Sequence, residues 1–392
     1  MIRTTRALPA ALVPAALLLA LTGCTDNATP GAAGPSGDPK ALTVQASDSA
    51  CAVSAAEAPS GNLTFTVTNG GSQVTEFYLL GADGLRIIGE VENIGPGLSR
   101  DLVLTAPPGG YFTACKPGMV GDGIRAAFTV TDSGADLSPS GDEAALVEQA
   151  NQLYRAYVKD QTEQLLAATQ KFADLYTGGS DEEARALYPE AREHWERIET
   201  VAESFGDLDP KMDLREADLA EGDEWTGWHR IEKDLWPARA KGYQALDAAG
   251  RKKYADDLVA NTQELYDRTR DLTFTADQIG NGAKGLLDEV ATGKVTGEEE
   301  YWSRTDLWDF QANVDGARIG YEGLKPLLQK RNPELEQQIG QRFTELQKLL
   351  DQHRDGEGFV LYDELTTDQI KQLSDAVNAL SEPLSKMTAA VV

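Results

Sequence analysis

Thr131-Asp-Ser-Gly-Ala-Asp-Leu-Ser-Pro-Ser-Gly-Asp142 is where the hydrophobic rhythm of the chain changes. Before it apolar residues alternate with polar ones, and after it they recur at helical spacing to the end of the chain. The stretch is nearly all Gly, Ser, Pro, Ala and Asp, which serves a linker better than a core. The chain therefore reads as multidomain: an all-β domain at residues 41–131, a linker at 132–142 and an all-α domain at 143–392.

On the N-terminal side of the linker, Leu63-Thr-Phe-Thr-Val67 alternates cleanly. Further β-prone runs at 76–80, 86–91, 100–105, 111–115 and 124–130 are separated by Gly, Pro, Asn and Asp. A small β-sandwich is the expected fold. It contains Cys51 and Cys115, and two readings of them stand side by side. In an extracytoplasmic protein an intradomain disulfide is the ordinary outcome. The alternative is a metal site in which both sulfurs join Glu76 and Glu92, or Glu90. No histidine precedes His194, so a copper centre of two histidines and one cysteine cannot be built from this domain.

Further towards the N-terminus, Met1 to Leu21 has a short basic end, Arg3 and Arg6, followed by an apolar run, and residues 1–23 read as a signal peptide. Leu21-Thr-Gly-Cys24 resembles a bacterial lipobox, which implies cleavage before Cys24, lipid on its sulfur and a membrane-anchored mature protein. Residues 24–40 then form a lipidated N-terminus and tether, poor in large apolar side chains.

On the C-terminal side, Leu146, Leu153, Tyr157, Leu165, Ala168 and Phe172 mark a long helix that Thr177-Gly-Gly179 stops. Ser180-x-x-Glu183 has the form of a capping box, and Pro189 suits the first turn of a renewed helix whose stripe runs Leu187, Ala191, Ile198, Ala202 and Phe205. Helical patterns follow at 242–270, 276–292 and 310–328. Asn332-Pro333 opens another helix, and Thr367 caps the last. Mostly short joints between seven or eight helices predict an antiparallel bundle.

Candidate ligands are concentrated in this half. Trp225-Thr-Gly-Trp-His-Arg-Ile-Glu-Lys-Asp-Leu-Trp236 holds one of only three histidines in the chain. On a helix, Trp228, Ile231 and Leu235 form its apolar stripe, and His229 and Glu232 lie side by side at the border of that stripe. Such a pair can share a cation, or can be no more than a histidine hydrogen-bonded to a carboxylate. Glu196, Glu199 and Glu203 return to one face of their own helix, pointing away from its apolar stripe, where a solvated acidic face is the plain reading. His194 projects towards the stripe, as a core histidine would. Asp207, Asp209 and Asp213 follow in a loop, and Asp306 and Asp309 lie at a helix start, where an acid also suits the helix dipole.

The chain carries 63 acidic and 36 basic residues, a formal net charge of -27. Nucleic acid is excluded as a natural partner, and cations or basic partners are favoured, although an acidic surface also serves solubility.

Three long motifs in order, His194-Trp-Glu-Arg-Ile-Glu-Thr-Val-Ala-Glu-Ser-Phe-Gly-Asp-Leu-Asp-Pro210, Trp225 to Trp236, and Thr305-Asp-Leu-Trp-Asp-Phe-Gln-Ala-Asn313, resemble the imelysin-like domain of EfeO-type iron-uptake lipoproteins. A cupredoxin-like domain precedes it in that family. The resemblance implies an envelope-located, lipid-anchored iron-binding protein that works with a membrane permease and a haem peroxidase. It implies metal ligation by His229 and Glu232, by the acidic partner motif Glu196, Glu199 and Glu203, and in the β domain by Cys51, Glu76, Glu92 and Cys115. Iron, ferric or ferrous, is the implied cargo, with copper a second candidate for the β domain.

Two rival functions fit the sequence less well. A zinc peptidase needs His-Glu-x-x-His, which is absent, and the inverted motif fails because Lys233 follows Glu232. No cysteine nucleophile or Gly-x-Ser-x-Gly elbow occurs in this half either. A metal-bridged binder of acidic polysaccharide fits the envelope location, but the net charge speaks against a large basic groove.

Overall fold

The computed structural model describes residues 38–135, 141–219, 222 and 224–392. Cys24 and the signal-peptide reading lie outside the described residues.

Alternation becomes a sandwich because one face of each strand must be buried. The nine strands are β1 (Ala41–Ser47), β2 (Ala50–Val53), β3 (Glu57–Pro59), β4 (Gly61–Asn69), β5 (Thr75–Leu80), β6 (Ile87–Ile94), β7 (Ser99–Ala106), β8 (Gly109–Cys115) and β9 (Ile124–Thr131). One sheet runs β2-β1-β4-β7 and the other β3-β9-β8-β5-β6. The β1·β4 and β3·β9 pairs are parallel, and the other pairs are antiparallel. Leu42, Val44, Leu63, Phe65, Val67, Phe77, Leu79 and Phe128 fill the space between the sheets.

Cys51 on β2 and Cys115 on β8 are joined by a disulfide across the two sheets, with Cα atoms 5.4 Å apart. This corrects the reading of both as metal-binding thiolates, and with it the copper site. Strand geometry gives a second reason. Phe77 pairs with Cys115 and faces the interior, so Glu76 and Tyr78, one residue to either side on β5, face outwards. Glu90, opposite Tyr78, faces outwards too, and Val91 between Glu90 and Glu92 belongs to the interior. The sulfurs and the carboxylates thus lie on opposite faces of one sheet.

The helical half comprises α1 (Gly141–Gly178), α2 (Asp181–Glu196), α3 (Glu199–Glu203), α4 (Asp209–Met212), α5 (Gly227–Leu235), α6 (Ala248–Thr269), α7 (Ala276–Thr292), α8 (Asp306–Arg331), α9 (Pro333–Leu350), α10 (Thr367–Leu384) and α11 (Met387–Val391). Their apolar stripes share one core, from Tyr154 and Phe172 through Trp195, Trp228 and Leu286 to Tyr321, Phe343 and Leu380. Asn332 caps α9 by accepting from the Leu335 amide. The last long helix is capped by Thr366, one residue earlier than expected. Ser180 is the N-cap of α2 but its side chain makes no capping hydrogen bond, and Pro189 sits inside α2 rather than opening a new helix. The stripe read as one helix from Leu187 to Phe205 is broken at Arg197 and Ile198, where Ile198 adopts φ -130° and ψ 16°.

The outer faces of β6 and β7 pack on the bundle, chiefly on α7. The Ile87 amide donates to the Ser204 carbonyl at 2.9 Å, the Thr105 amide to Asp277 Oδ2 at 2.9 Å, and Asn281 Nδ2 to the Val103 carbonyl at 2.8 Å. Arg86 stacks on the Phe205 ring. No helix among the described residues is long and apolar enough to cross a membrane.

Candidate metal centre

The helix break after Glu196 turns Glu199 into the bundle beside Glu196, and both are buried. Asn313 on α8 stabilises the break: its Nδ2 donates to the Glu196 carbonyl at 2.7 Å and to Glu199 Oε2 at 2.9 Å. Carboxylates on a turn expected to be solvated are thus part of the interior. Glu203, on the far side of the break, points elsewhere.

Two glycines bring the remaining acids in. Gly227 has φ +84°, and a Cβ there would lie 2.1 Å from the Met212 carbonyl oxygen, so only glycine lets the start of α5 abut α4. That contact sets Asp213, just after α4, beside His229 on α5. Gly297 has φ +74°, and a Cβ would meet the Tyr362 ring at 2.1 Å. Tyr362 in turn donates its hydroxyl to the Val295 carbonyl at 2.9 Å, clamping the segment between α7 and α8. That segment carries Lys294, Glu299 and Glu300, all buried. Glu232 holds it from the other side, its Oε1 accepting from the amides of Trp302 at 2.7 Å and Ser303 at 2.6 Å.

The resulting cluster is densely charged. Arg192 on α2, fully buried, pairs with Glu196 and Asp213. Its Nε lies 2.6 Å from Glu300 Oε1 and 3.7 Å from Asp309 Oδ1, and Nη2 is 3.4 Å from Glu299 Oε1. His229 Nε2 is 3.3 Å from Glu299 Oε1 and 3.4 Å from Asp213 Oδ1, and Nδ1 is 3.5 Å from Glu232 Oε2. Lys294 Nζ is 2.9 Å from Glu199 Oε1 and 3.3 Å from Glu196 Oε2. Trp195 Nε1 donates to Asp213 Oδ2 at 2.7 Å.

Seven carboxylates, Glu196, Glu199, Asp213, Glu232, Glu299, Glu300 and Asp309, therefore face at most four cations among the described residues, Arg192, Arg215, Lys294 and protonated His229. Buried charge must be paired or neutralised, so some of these acids hold protons. Burial opposes ionisation of Glu299, but Lys294 and His229 more than offset it and hold the carboxyl well below its usual range. Asp213 is likewise held down, by Arg192 and His229 against burial. Burial, then Glu196, pushes Glu199 well up despite Lys294, and burial with neighbouring acids does the same to Glu300 and Asp309. Burial raises Asp306 to about 7. Burial and Arg192 push His229 down, but the carboxylates of Glu232 and Glu299 beside its ring and the Asp213 charge prevail, so its pKa is well above the usual value. The surrounding carboxylates thus favour the protonated ring, and a protonated imidazole serves as a ligand only after losing a proton.

One oxygen each from Glu196, Glu199, Asp213 and Glu299 lies within 4.8 Å of the other three. Bonds of about 2.1 Å to a shared cation put ligand oxygens up to about 4.2 Å apart, so a small closure of rotamers would complete a shell. Asp213, His229 and Glu299 form an overlapping set, as do His229, Glu232 and Glu300. Glu232 Oε2 and both Asp309 oxygens are buried with no hydrogen-bond partner among the described residues.

The structure thus brings together Glu196, Glu199, His229 and Glu232 of the residues read from sequence, and separates Glu203. That side chain faces Glu90, Glu92 and Glu289 where sandwich meets bundle, and burial followed by these neighbours raises its pKa well above the usual value. Glu76 is buried nearby, hydrogen-bonded by the Tyr78 hydroxyl and 3.6 Å from Lys116 Nζ. His194 lies outside the cluster, its Nδ1 2.9 Å from Gln161 Oε1. Burial, with Arg197, pushes it down to about 4.

Sequence reasoning left out Arg192, Lys294, Glu299 and Glu300, and noted Asp213 and Asp309 among the acids of this half without assigning them to the site. A usable signal existed for some of them. Arg192 falls on the same stripe as Tyr188, Ala191 and Trp195, one turn before Glu196. Glu298-Glu-Glu300 precedes Tyr301-Trp302 in a stretch without helical periodicity.

A family model described as Imelysin matches residues 150–387. Iron uptake system component EfeO of Escherichia coli O1:K1 / APEC is 35% identical over 349 residues, 88% of this chain and 90% of the relative. Iron uptake system component EfeO of Yersinia pestis is 35% identical over 353 residues, 89% of this chain and 91% of the relative.

Proposed function

Because this chain belongs to the imelysin family and is an EfeO-type protein, we propose that it is the iron-binding component of an iron-uptake system. In this reading it is extracytoplasmic, anchored through lipid on Cys24, and hands iron to a membrane permease beside a haem peroxidase. The relatives are named as iron uptake system components. The anchor rests on the lipobox-like Leu21-Thr-Gly-Cys24.

The observation that carries the reading is the buried quartet Glu196, Glu199, Asp213 and Glu299, in a cluster whose carboxylates outnumber its cations. An all-oxygen donor set of this charge suits a hard cation and disfavours soft copper(I). His229 orients Asp213 and Glu299 and lends a nitrogen once deprotonated. Glu232 fixes the segment that delivers Glu299. The work is binding rather than catalysis. A peptidase would need a zinc-bound water beside a free general base, whereas His229 stands between the carboxylates of Asp213, Glu232 and Glu299.

The test is anaerobic calorimetry of ferrous iron on the mature chain lacking residues 1–23, beside a Glu199→Gln/Asp213→Asn variant whose folding is checked by circular dichroism. Tight binding by the wild type and its loss in the folded variant is the expected result. Equal binding by the two would remove the quartet as the site.

A further inference from the structure

Lys294 has no part in the ligand scheme above, yet it stands in the middle of it. Lysine is seldom fully buried, and this one is 0% exposed. Its ammonium lies 2.9 and 3.1 Å from the two oxygens of Glu199, 3.3 Å from Glu196 Oε2 and 3.9 Å from Glu299 Oε1. Three of the four proposed ligands therefore already share one ammonium that belongs to the chain itself, and the fourth, Asp213, pairs with Arg192. A divalent ion bonded to those carboxylates and an ammonium in their midst would be like charges a few ångströms apart in a poorly screened interior. The two exclude one another.

We infer that Lys294 is a displaceable internal counter-ion: an incoming iron ion drives its ammonium off Glu196, Glu199 and Glu299 and onto Glu289. The inference rests on the iron-binding reading. Glu289 Oε2 is 3.8 Å from Nζ, and its side chain is 22% exposed, whereas those of Glu196, Glu199 and Glu299 are at most 6% exposed. Glu289 also lines the cavity between α3, α7 and β6, which Glu90, Glu92 and Glu203 line as well. An ammonium swung that way stays among carboxylates and gains water, so its move needs no unfolding. The lysine sets the affinity for the cargo, because a cation must outcompete it. It also supplies a route for release, since its return to Glu199 expels the ion into the acceptor that receives it.

The experiment uses the mature full-length chain and ferrous iron under anaerobic conditions. Removing the competitor in Lys294→Met should tighten binding about tenfold or more, because the competent state no longer has to be won from the lysine. Removing the acceptor in Glu289→Gln should weaken binding about threefold to tenfold by the same arithmetic. In the wild type, acylation of Lys294 by acetic anhydride, read by peptide mass spectrometry, should rise when iron is added. A folded Lys294→Met with unchanged or weaker affinity overturns the inference, and so does flat acylation of Lys294 while iron binds. Should Lys294→Met fail to fold, Glu289→Gln and the acylation decide, and no change in either overturns it. A wild type that binds no iron removes the iron-binding reading, and this inference with it.

Discussion

Two groups of carboxylates stand close together in this molecule, one buried inside the bundle and one half-buried at its seam with the sandwich, and their charge balance differs. Inside the bundle, Glu299 and Asp213 are held ionised by Lys294, Arg192 and His229. At the seam between sandwich and bundle, Glu92 and Glu203 are pushed well up by burial and then by their acidic neighbours, and Glu90 to about 8 by burial and Glu76. The difference lies in compensation. Glu299 and Asp213, each set beside at least two of the chain's own cations, stay charged in the interior, whereas Glu199, Glu300 and Asp309, which share those cations with other acids, are pushed up. Glu92 and Glu203, with acids and no cation as their close neighbours, take up protons and act as neutral packing. A cluster of acids is thus a binding site or a pH-dependent joint according to the basic residues among it.

The contrast can be broken most forcefully at Arg192. Its replacement by methionine leaves Glu196, Asp213, Glu300 and Asp309 without their shared partner, and should cost about 3–5 kcal/mol of stability in urea unfolding. A cost under about 1 kcal/mol would show that the core acids do not depend on internal cations. Next, Glu199→Gln should raise the iron dissociation constant about a hundredfold, while Glu203→Gln should leave it within about threefold, measured by calorimetry. Equal losses would erase the distinction between the two groups.

A smaller effect is expected from pH. For the seam, Asp209 is raised to about 7, by burial and then Asp213, and Glu90 to about 8, both well above the ordinary carboxyl range. A raised carboxyl pKa means that the folded state binds more protons, so this stability is present below about pH 4 and is lost as pH rises towards about 8. Glu299 and Asp213, held low, contribute in the opposite sense: their stability is present above the unfolded values and is lost on acidification. Melting of chelator-treated protein should therefore be highest near about pH 5 and fall by about 1–2 kcal/mol by about pH 8. A flat profile would mean that the seam acids ionise freely. The smallest change sharpens this assignment: Glu203→Gln should stabilise the protein by about 0.5–1 kcal/mol near about pH 8 and not at all near about pH 4.5.

Much of this was legible in the chain. The change of rhythm across the linker located both halves, and the stripe of Trp228, Ile231 and Leu235 put His229 and Glu232 at the border of the core. Glu196 and Glu199 were found as a pair because i,i+3 spacing survives the turn between them. Glu203 was grouped with them because nothing in Arg197-Ile198 announces a break, and the break depends on Asn313, more than a hundred residues later. Glu299 and Glu300 lie in a segment with no period to read. Lys294 and Arg192 were passed over because long basic side chains are ordinarily solvated. The cysteines show the same limit: alternation could place them in strands, but only the pairing of Phe77 with Cys115 shows that they face away from Glu76.

The hydrogen bonds from Trp302 and Ser303 to Glu232 also carry a meaning in time. The two amides arrive seventy residues after the carboxylate that awaits them, and Glu299 comes with them. A chain emerging from the ribosome, or threading through a membrane pore, presents Glu196, Glu199 and Asp213 long before the fourth oxygen donor exists beside them. Its grip on a cation therefore matures only once the whole bundle has closed.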